Sequence, residues 1–424
     1  MLLNWERAVK KMDEYGLDAV VAAAPRNVYY ASGYWTRISE WFFQENLAAV
    51  VLTRDQKQAT LIIPEWSISA LLEQPTWITR VRPIEFLDMS YIANAPEPVR
   101  LDPLQADIEK LYSERVVAPM AENLIVSTGD TLRDLGLAAG RVGFDDLRLA
   151  QHVRTNLPQL NIADAHDYWL DVRKVKSPDE QTILRHGAMI NQTALQEITP
   201  LIRPGVVWRE VIDRFRESVM RQDAVLLASQ KGLQFGAEYE GEYFPDLMFR
   251  DNDWVVRDRQ IIIYEAWGAY QNYSFDCSRT VHVGQPTEAY ASLCDRITDM
   301  QQQVEAMLRA GVSTHELFKA GNQIVKQSGI ETPDKLLIFL HSIGLDIIEL
   351  PSGYPSFGRI KNFDLEPDMV LNFEFLYFGH TSGPFHIESS YLIRENGAEC
   401  LHSLPKRLQV LPQAEGVEVR AGAA

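Results

Sequence analysis

Acidic residues inside apolar β segments are the feature that most restricts how this chain can fold. Glu265, Glu374 and Glu388 each lie within or directly after a run of β-branched and aromatic residues, and Asp276 and His341 lie in similar surroundings. Burying one such carboxylate alone costs several kcal/mol. A fold that gathers all five around a common partner avoids that cost. Carboxylate oxygens with an imidazole suit a metal ion such as Mn, Fe, Co or Zn.

The alternation of side chains along a strand offers a second interpretation, in which each acid faces solvent on its own strand. For any one residue both interpretations are open. For five residues in this order, a shared metal cluster is favoured. Asp276 follows Glu265 by eleven residues, which is far enough for a β-hairpin to bring their two segments side by side.

The spacing of apolar residues predicts two regions of different architecture. Residues 1–165 alternate between helical and strand-like stretches, which indicates a small α/β domain. Residues 166–412 carry helical stretches between β-rich ones at 261–284 and 369–394, which indicates an α+β domain. Residues 413–424 are predicted to form a flexible tail.

A helix-start signal marks the beginning of the second region. Ser177 is suited to be the N-cap, Pro178 the first helical residue, and Glu180 the acid of a capping box. The helical pattern then continues to about Thr199. We therefore predict a long helix that opens the second domain.

Charge and cysteine content exclude several classes of protein. The 424 residues include 41 basic and 58 acidic ones, a net charge of −17, which argues against a nucleic-acid binder and against docking on anionic lipid. No apolar run approaches the roughly 20 residues of a membrane span. The three cysteines form no CxxC pair and indicate reduced thiols. We expect a cytoplasmic protein with a small-molecule substrate, and neither nucleic acid nor membrane as a partner.

Several motifs together resemble the creatinase/aminopeptidase, or pita-bread, family, which includes methionine aminopeptidase, Xaa-Pro dipeptidase and creatinase. Asp276-Cys-Ser-Arg-Thr resembles the family's D-x-[ST]-R-T motif, and His341-Ser-Ile-Gly resembles its H-x-[IV]-G stretch. Lys176-Ser-Pro-Asp-Glu is similar to the opening of its catalytic domain. Leu365-Glu-Pro-Asp-Met and Asn27-Val-Tyr-Tyr-Ala-Ser-Gly are similar to two further stretches. The resemblance covers nearly the whole chain and implies an α/β N-terminal domain followed by a pita-bread catalytic domain.

The resemblance also implies a metal centre. The family's ligands run Asp, Asp, His, Glu, Glu, and the matching positions are Glu265, Asp276, His341, Glu374 and Glu388. In that pattern Asp276 and Glu388 would bridge two ions, His341 and Glu374 would complete one site, and Glu265 would complete the other. One or two divalent ions of Fe, Mn, Co or Zn are expected, with a water molecule activated by them as nucleophile. A homodimer is expected from the same resemblance.

The chain departs from the family pattern at several positions. Glu265 replaces an aspartate and is one methylene longer, so the second metal position is expected to be altered or empty. Trp267 stands where a glycine is usual. No histidine occurs between His186 and Glu265, and Ile348 stands where a second family histidine is usual. Because those histidines steady the scissile peptide in the peptidases, their absence disfavours a proline peptidase.

Aromatic residues beside the acids predict a pocket for a small cation or zwitterion. Trp267 and Tyr270 are expected in the turn next to the ligands, where their rings could attract an onium group, although such aromatics are also common in a protein core. In family dimers an N-terminal loop can close the partner's pocket. Trp35 and Arg37 are therefore candidate substrate-binding residues, Arg37 as a carboxylate clamp. His386 is a further candidate.

Relatives that act on zwitterions, namely creatinase, ectoine hydrolase and dimethylsulfoniopropionate lyase, supply the leading hypothesis. We predict a metal-dependent lyase that eliminates dimethyl sulfide from dimethylsulfoniopropionate and leaves acrylate, with Asp346, Glu349 or Tyr243 as the base. The first alternative is hydrolysis of an ectoine- or creatine-like compound, with Glu265 as base or nucleophile. An Xaa-Pro dipeptidase or aminopeptidase is the next alternative. A binding module with a degraded site is the non-enzymatic one, and the retained acids argue against it.

Overall fold

A computed structural model of the protein describes residues 1–36, 46–86, 104–226, 233–240, 253–353, 361–379 and 383–413. The chain divides into two compact units, Met1–Arg173 and Lys174–Ala424. Within the described ranges, no helix has both the length and the apolar character needed to cross a membrane.

The first unit is built on a six-stranded sheet. Its strands are β1 Ala19–Ala22, β2 Ala49–Leu52, β3 Thr60–Pro64, β4 Arg80–Ile84, β5 Arg141–Phe144 and β6 Asn161–Asp164. Their order is β4-β3-β2-β1-β5-β6, with parallel and antiparallel pairs. Every residue of the short apolar strands β1 and β2 is buried, as expected for strands at the centre of a two-sided sheet.

Helices surround this sheet. They are α1 Trp5–Tyr15, α2 Pro25–Ser32, α3 Leu104–Arg115, α4 Leu124–Asp134, α5 Leu147–Asn156 and α6 His166–Arg173, with 3₁₀ turns at Gln56–Gln58 and Glu65–Leu72. Helix α1 begins after Asn4, whose side chain accepts a hydrogen bond from the N–H of Arg7. It ends at Gly16, whose φ of 63° lies in the left-handed region that favours glycine. The α/β architecture predicted for this part of the chain is confirmed.

The second unit is built on a larger sheet. Its strands are β7 Leu233–Tyr239, β8 Gln260–Tyr270, β9 Tyr273–Val283, β10 Leu336–Ser342, β11 Glu349–Ser352, β12 Val370–Tyr377, β13 Phe385–Arg394, β14 Gly397–Cys400 and β15 Gln409–Leu411. The order is β11-β10-β12-β13-β9-β8-β7, while β14 pairs with β13 and β15 with β9. The predicted hairpin is formed by β8 and β9, which run antiparallel.

Four helices described in this unit are α7 Pro178–Ile198, α8 Trp208–Met220, α9 Glu288–Glu305 and α10 Thr314–Gln327, with 3₁₀ turns at Thr199–Leu201 and Pro333–Lys335. Helix α7 opens with the predicted capping box. The N–H of Glu180 donates to the Ser177 hydroxyl, and the N–H of Ser177 donates to the Glu180 carboxylate. Helices packed on an antiparallel sheet confirm the predicted α+β class.

The faces of this sheet differ in chemistry. On one face, Tyr264 and Phe275 pack in an apolar core with Trp208 of α8. Phe373 packs in a second apolar core with Ile297 of α9. The residues that alternate with these along β8, β9, β12 and β13 point to the opposite face. That opposite face carries the acids.

Candidate metal centre

Strand pairing sets the acids in one row across four strands. Glu374 of β12 lies directly opposite Glu388 of β13, and Glu388 lies opposite Ser278 of β9. Ser278 in turn lies opposite Glu265 of β8. Directly paired residues point to the same face of a sheet, so these four side chains are neighbours. Asp276, two residues before Ser278, shares that face.

His341 approaches the row from β10, where it is paired with Asn372. Its Nε2 lies 3.5 Å from Oε1 of Glu388. Its Nδ1 lies 3.2 Å from the carbonyl oxygen of Ser342. A carbonyl can only accept a hydrogen bond, so Nδ1 carries a proton and Nε2 faces the carboxylate. Asn372 also donates to the same oxygen of Glu388, at 3.0 Å.

Two groups of three buried side chains have the spacing of a metal site. Asp276, His341 and Glu388 form one group, and Glu374, His386 and Glu388 form the other. Within each group the donor atoms lie within 4.8 Å of one another. Glu388 belongs to both groups and could bridge two ions.

Two carboxylate oxygens indicate that this donor set fits a cation. Asp276 Oδ1 and Glu388 Oε2 are buried and accept no hydrogen bond from the part of the chain that the structure describes. A buried oxygen left without a partner costs about 1–3 kcal/mol, and more when it is charged. A divalent ion would satisfy both oxygens, and carboxylate with imidazole is a suitable donor set for Mn, Fe, Co or Zn.

Burial controls the protonation of the acids. It raises the pKa of Glu265 and of Glu374 to about 8, and the charge on Glu388 adds to both shifts. Burial and the charges of Glu388 and Glu265 raise the pKa of Asp276 well above its usual range. Burial would also raise the pKa of Glu388, but the hydrogen bond and charge of His341 outweigh it and lower that pKa. Cation binding here must therefore displace protons.

The two imidazoles respond differently to the same burial. Burial lowers the pKa of His386, although the charges of Glu265 and Glu388 oppose the shift. Burial also acts to lower the pKa of His341, but its hydrogen bond and charge contact with Glu388 outweigh it, so that pKa is raised. A neutral imidazole is the form that binds metals, and burial favours it at His386.

Glu265 lies in the row of acids but in neither three-residue group. Its expected part as a metal ligand stays a prediction. Trp267 lies on the same face, opposite Asp276, and its side chain is buried. It is part of strand β8, and the expectation of a turn position is wrong, since Gln271 and Asn272 form the turn with φ values of 47° and 65°.

Tyr270 is also part of β8 and is not in the turn. Its alternating position directs it to the face opposite Glu265. Its ring lies 4.5 Å from the ring of His186 in α7, and it packs against the apolar core of that face. The structure therefore does not bring Tyr270 to the acids.

Two of the candidate bases meet each other outside the metal groups. Glu349 on β11 forms a buried ion pair with Lys176, at 2.6 Å between Oε2 and Nζ. The backbone N–H of Asp346 donates to the other carboxylate oxygen of Glu349 at 3.2 Å. Glu349 is thus held by a structural charge pair, and a catalytic part for either acid stays a prediction.

The remaining predicted residues belong to the first unit or lie outside the described residues. Trp35 belongs to the first unit, where its ring meets Tyr29 edge to face at 5.6 Å between centroids. Its backbone N–H donates to Oε1 of Gln74. Arg37 and Tyr243 lie outside the described residues, so their parts as clamp and base stay predictions.

Three residues take part in the candidate metal centre in ways that the sequence analysis did not predict. Ser278 contacts His386, Asn372 donates to Glu388, and His386 offers a donor atom to one three-residue group, while its expected part in substrate binding stays a prediction. The signal was available in the sequence. Ser278 follows Asp276 by two residues, and His386 precedes Glu388 by two, so strand alternation puts each pair on one face.

These features agree with the comparisons with known proteins. The model of metallopeptidase family M24 matches residues 182–395, half of the chain, and the model of the creatinase/prolidase N-terminal domain matches residues 5–175. The chain therefore belongs to metallopeptidase family M24, and the resemblance seen in the sequence motifs is confirmed.

Individual relatives are distant. The Xaa-Pro dipeptidase of Pyrococcus furiosus is 23% identical over 407 residues, which cover 95% of this chain and 98% of that protein. An uncharacterised peptidase of Staphylococcus epidermidis is 23% identical over 241 residues, which cover 56% of this chain but only 64% of that protein's length.

Solved structures share the fold. A Xaa-Pro dipeptidase from Bacillus anthracis matches with a TM-score of 0.70 at 18% identity, covering 96% of this chain and 99% of that one. A prolidase from Pyrococcus furiosus matches with a TM-score of 0.66 at 20% identity, covering 94% and 99%. At this identity the likeness establishes the architecture alone.

Proposed function

We propose that this chain is a metal-dependent hydrolase that cleaves the amide bond of a small substrate, with an Xaa-Pro dipeptide as the first candidate. The observation that carries the proposal is the pair of three-residue groups that share Glu388 on a buried polar face. The peptidase family and the dipeptidase names of the relatives favour amide hydrolysis. They add no support for β-elimination from dimethylsulfoniopropionate. That reaction stays a prediction, and the substrate panel described below includes it.

In this proposal some residues of the cluster are metal ligands, and one is the general base. Asp276, His341, Glu374 and Glu388 would hold the metal, which would supply an activated water and polarise the substrate carbonyl. Glu265 lies in the same row but outside both three-residue groups. Once ionised, its carboxylate would accept the proton of the attacking water and return it to the leaving amine.

A second candidate is hydrolysis of a creatine- or ectoine-like compound. The chain has no histidine between His186 and Glu265, and Ile348 replaces a second family histidine. Peptidases use such groups to steady the scissile bond. Trp267 lies opposite Asp276 and offers a ring that suits a cationic substrate.

The test is a substrate panel on chelated and metal-reconstituted protein, containing Ala-Pro, creatine, ectoine and dimethylsulfoniopropionate. We expect proline release from Ala-Pro only by the reconstituted protein. Asp276→Asn should abolish it, whereas Asp334→Asn, at an exposed acid of the same unit, should leave it unchanged.

Each of the other possible results of this panel would favour a different function. Turnover of creatine or ectoine alone would favour the second candidate. Release of dimethyl sulfide and acrylate alone would overturn hydrolysis in favour of a lyase. Turnover that survives complete chelation would contradict the metal requirement itself.

A further inference from the structure

We infer that His386 is a metal ligand, so that the second ion of this centre is held by Glu374, His386 and Glu388 instead of through Glu265. The five-ligand pattern of the family does not contain this histidine. The inference rests on the proposed function only in requiring a metal-bound protein, and it is independent of the substrate.

Ser278 holds the ring of His386 through a contact at Nδ1. The Ser278 hydroxyl donates its single proton to the carbonyl oxygen of Tyr264, at 3.2 Å between the oxygens. The same hydroxyl lies 2.8 Å from Nδ1 of His386. When the hydroxyl donates to Tyr264, it accepts from Nδ1–H of His386. Nε2 is left with its lone pair, the form in which an imidazole binds a metal.

That lone pair is directed at a carboxylate. Nε2 of His386 lies 2.7 Å from Oε2 of Glu374, and both side chains are buried. In the metal-free protein one proton between the two atoms makes this a hydrogen bond, and an ion bound by both groups would displace that proton. Metal–ligand bonds of about 2.0–2.2 Å put neighbouring donor atoms roughly 3 Å apart. A small shift of either side chain would therefore admit an ion between them and Glu388.

His386 and His341 share the contact typical of metal-bound histidines, which donate their other ring N–H to an oxygen. Nδ1 of His341 lies 3.2 Å from the Ser342 carbonyl oxygen, and Nδ1 of His386 lies 2.8 Å from the Ser278 hydroxyl. Each presents Nε2 to an acid of the cluster. Each histidine therefore belongs to one of the two three-residue groups that share Glu388.

His282 on β9 is a matched comparison. It is buried, its Nδ1 contacts the carbonyl oxygen of Gly284, and its Nε2 lies 3.2 Å from a single carboxylate, that of Glu240. Among the described residues it belongs to no group of three candidate ligands. Like a metal-bound histidine, His282 has an oxygen partner at Nδ1, but its Nε2 faces one carboxylate and not a pair of candidate ligands. It therefore serves as a control.

The test is the number of ions bound, measured by mass spectrometry on metal-free protein reloaded with Co²⁺, with the visible absorption of bound Co²⁺ as a second readout. We expect two ions in the unaltered protein, one in His386→Ala, and two in both Glu265→Gln and His282→Ala. Unchanged stoichiometry in His386→Ala, or the loss of one ion in Glu265→Gln, would overturn the inference.

A second variant covers the case in which His386→Ala does not fold. Ser278→Ala keeps every acid and both imidazoles but removes the group that orients His386. We expect Co²⁺ affinity at one site to fall about 10-fold, the lower end of the effect of such supporting residues. Unchanged affinity and an unchanged Co²⁺ spectrum would contradict the inference. Since no substrate is used, inactivity on the dipeptide panel does not alter this result.

Discussion

A single buried lysine uses its charge in an ion pair that stabilises the fold. Lys176 stands directly before α7, and its ammonium group meets Glu349 with both side chains almost fully buried. The backbone N–H of Lys176 also donates to the carbonyl oxygen of Asp368. The residue therefore joins the start of α7 to β11 and to the segment before β12. Removing one partner of such a pair leaves a buried charge uncompensated.

We predict that Lys176→Met lowers the free energy of unfolding by about 3–5 kcal/mol. Urea denaturation followed by circular dichroism measures this loss. Lys319→Met, at an exposed position of α10, is the control and should change little. Adding Glu349→Gln to Lys176→Met should restore part of the loss. A loss below about 1 kcal/mol, the range of exposed pairs, would show that the ion pair is not structural.

At the scale of elements, two helices start with the same motif in opposite electrostatic surroundings. The capping boxes of α7 and α10 pair Ser177 with Glu180 and Ser313 with Glu316. Burial raises the pKa of Glu180 to about 7, although Lys176 opposes the shift. Hydrogen bonds from the backbone and hydroxyl of Ser313 lower the pKa of Glu316. The same motif should therefore give opposite pH dependences.

For Glu180 the folded pKa is above the unfolded one, so its favourable contribution is complete below about pH 4.5 and is lost as pH rises through about 7. We predict that Glu180→Gln, which can retain the capping geometry, gains stability relative to the unaltered protein between pH 5 and pH 8. Glu316→Gln should instead lose stability relative to it once Glu316 ionises. Urea denaturation between pH 5 and pH 8 measures the first effect, and the same series extended below pH 4.5 measures the second. Parallel curves for Glu180→Gln and the unaltered protein would refute the assignment.

Elements were also what the sequence predicted best. Helix α7 begins at its predicted cap because Ser177, Pro178 and Glu180 act through local hydrogen bonds. The hairpin of β8 and β9 follows from two apolar runs around a short turn. The local sequence pattern could not predict which residues of the two strands are paired. Glu265 pairs with Ser278 and not with Asp276, an offset of two residues that changes which donor atoms meet.

At the scale of the whole molecule, the candidate ligands of the two three-residue groups all come from the second sheet. Asp276, His341, Glu374, His386 and Glu388 come from four strands, far apart in sequence, that the order β10-β12-β13-β9 makes neighbours. The fold class and the family could be predicted from the sequence because each family motif is a short run of consecutive residues. The grouping of ligands, the inclusion of His386 and the exclusion of Tyr270 are properties of strand pairing and side-chain direction, which no single segment encodes.

The most direct test of the central claim, that the polar face of this sheet is a metal centre, is an anomalous difference map from crystals of Co²⁺-loaded protein. We expect two peaks. One should be bounded by Asp276, His341 and Glu388, and the other by Glu374, His386 and Glu388. A map with no peak on this face, from protein that crystallises in the same fold, would contradict it.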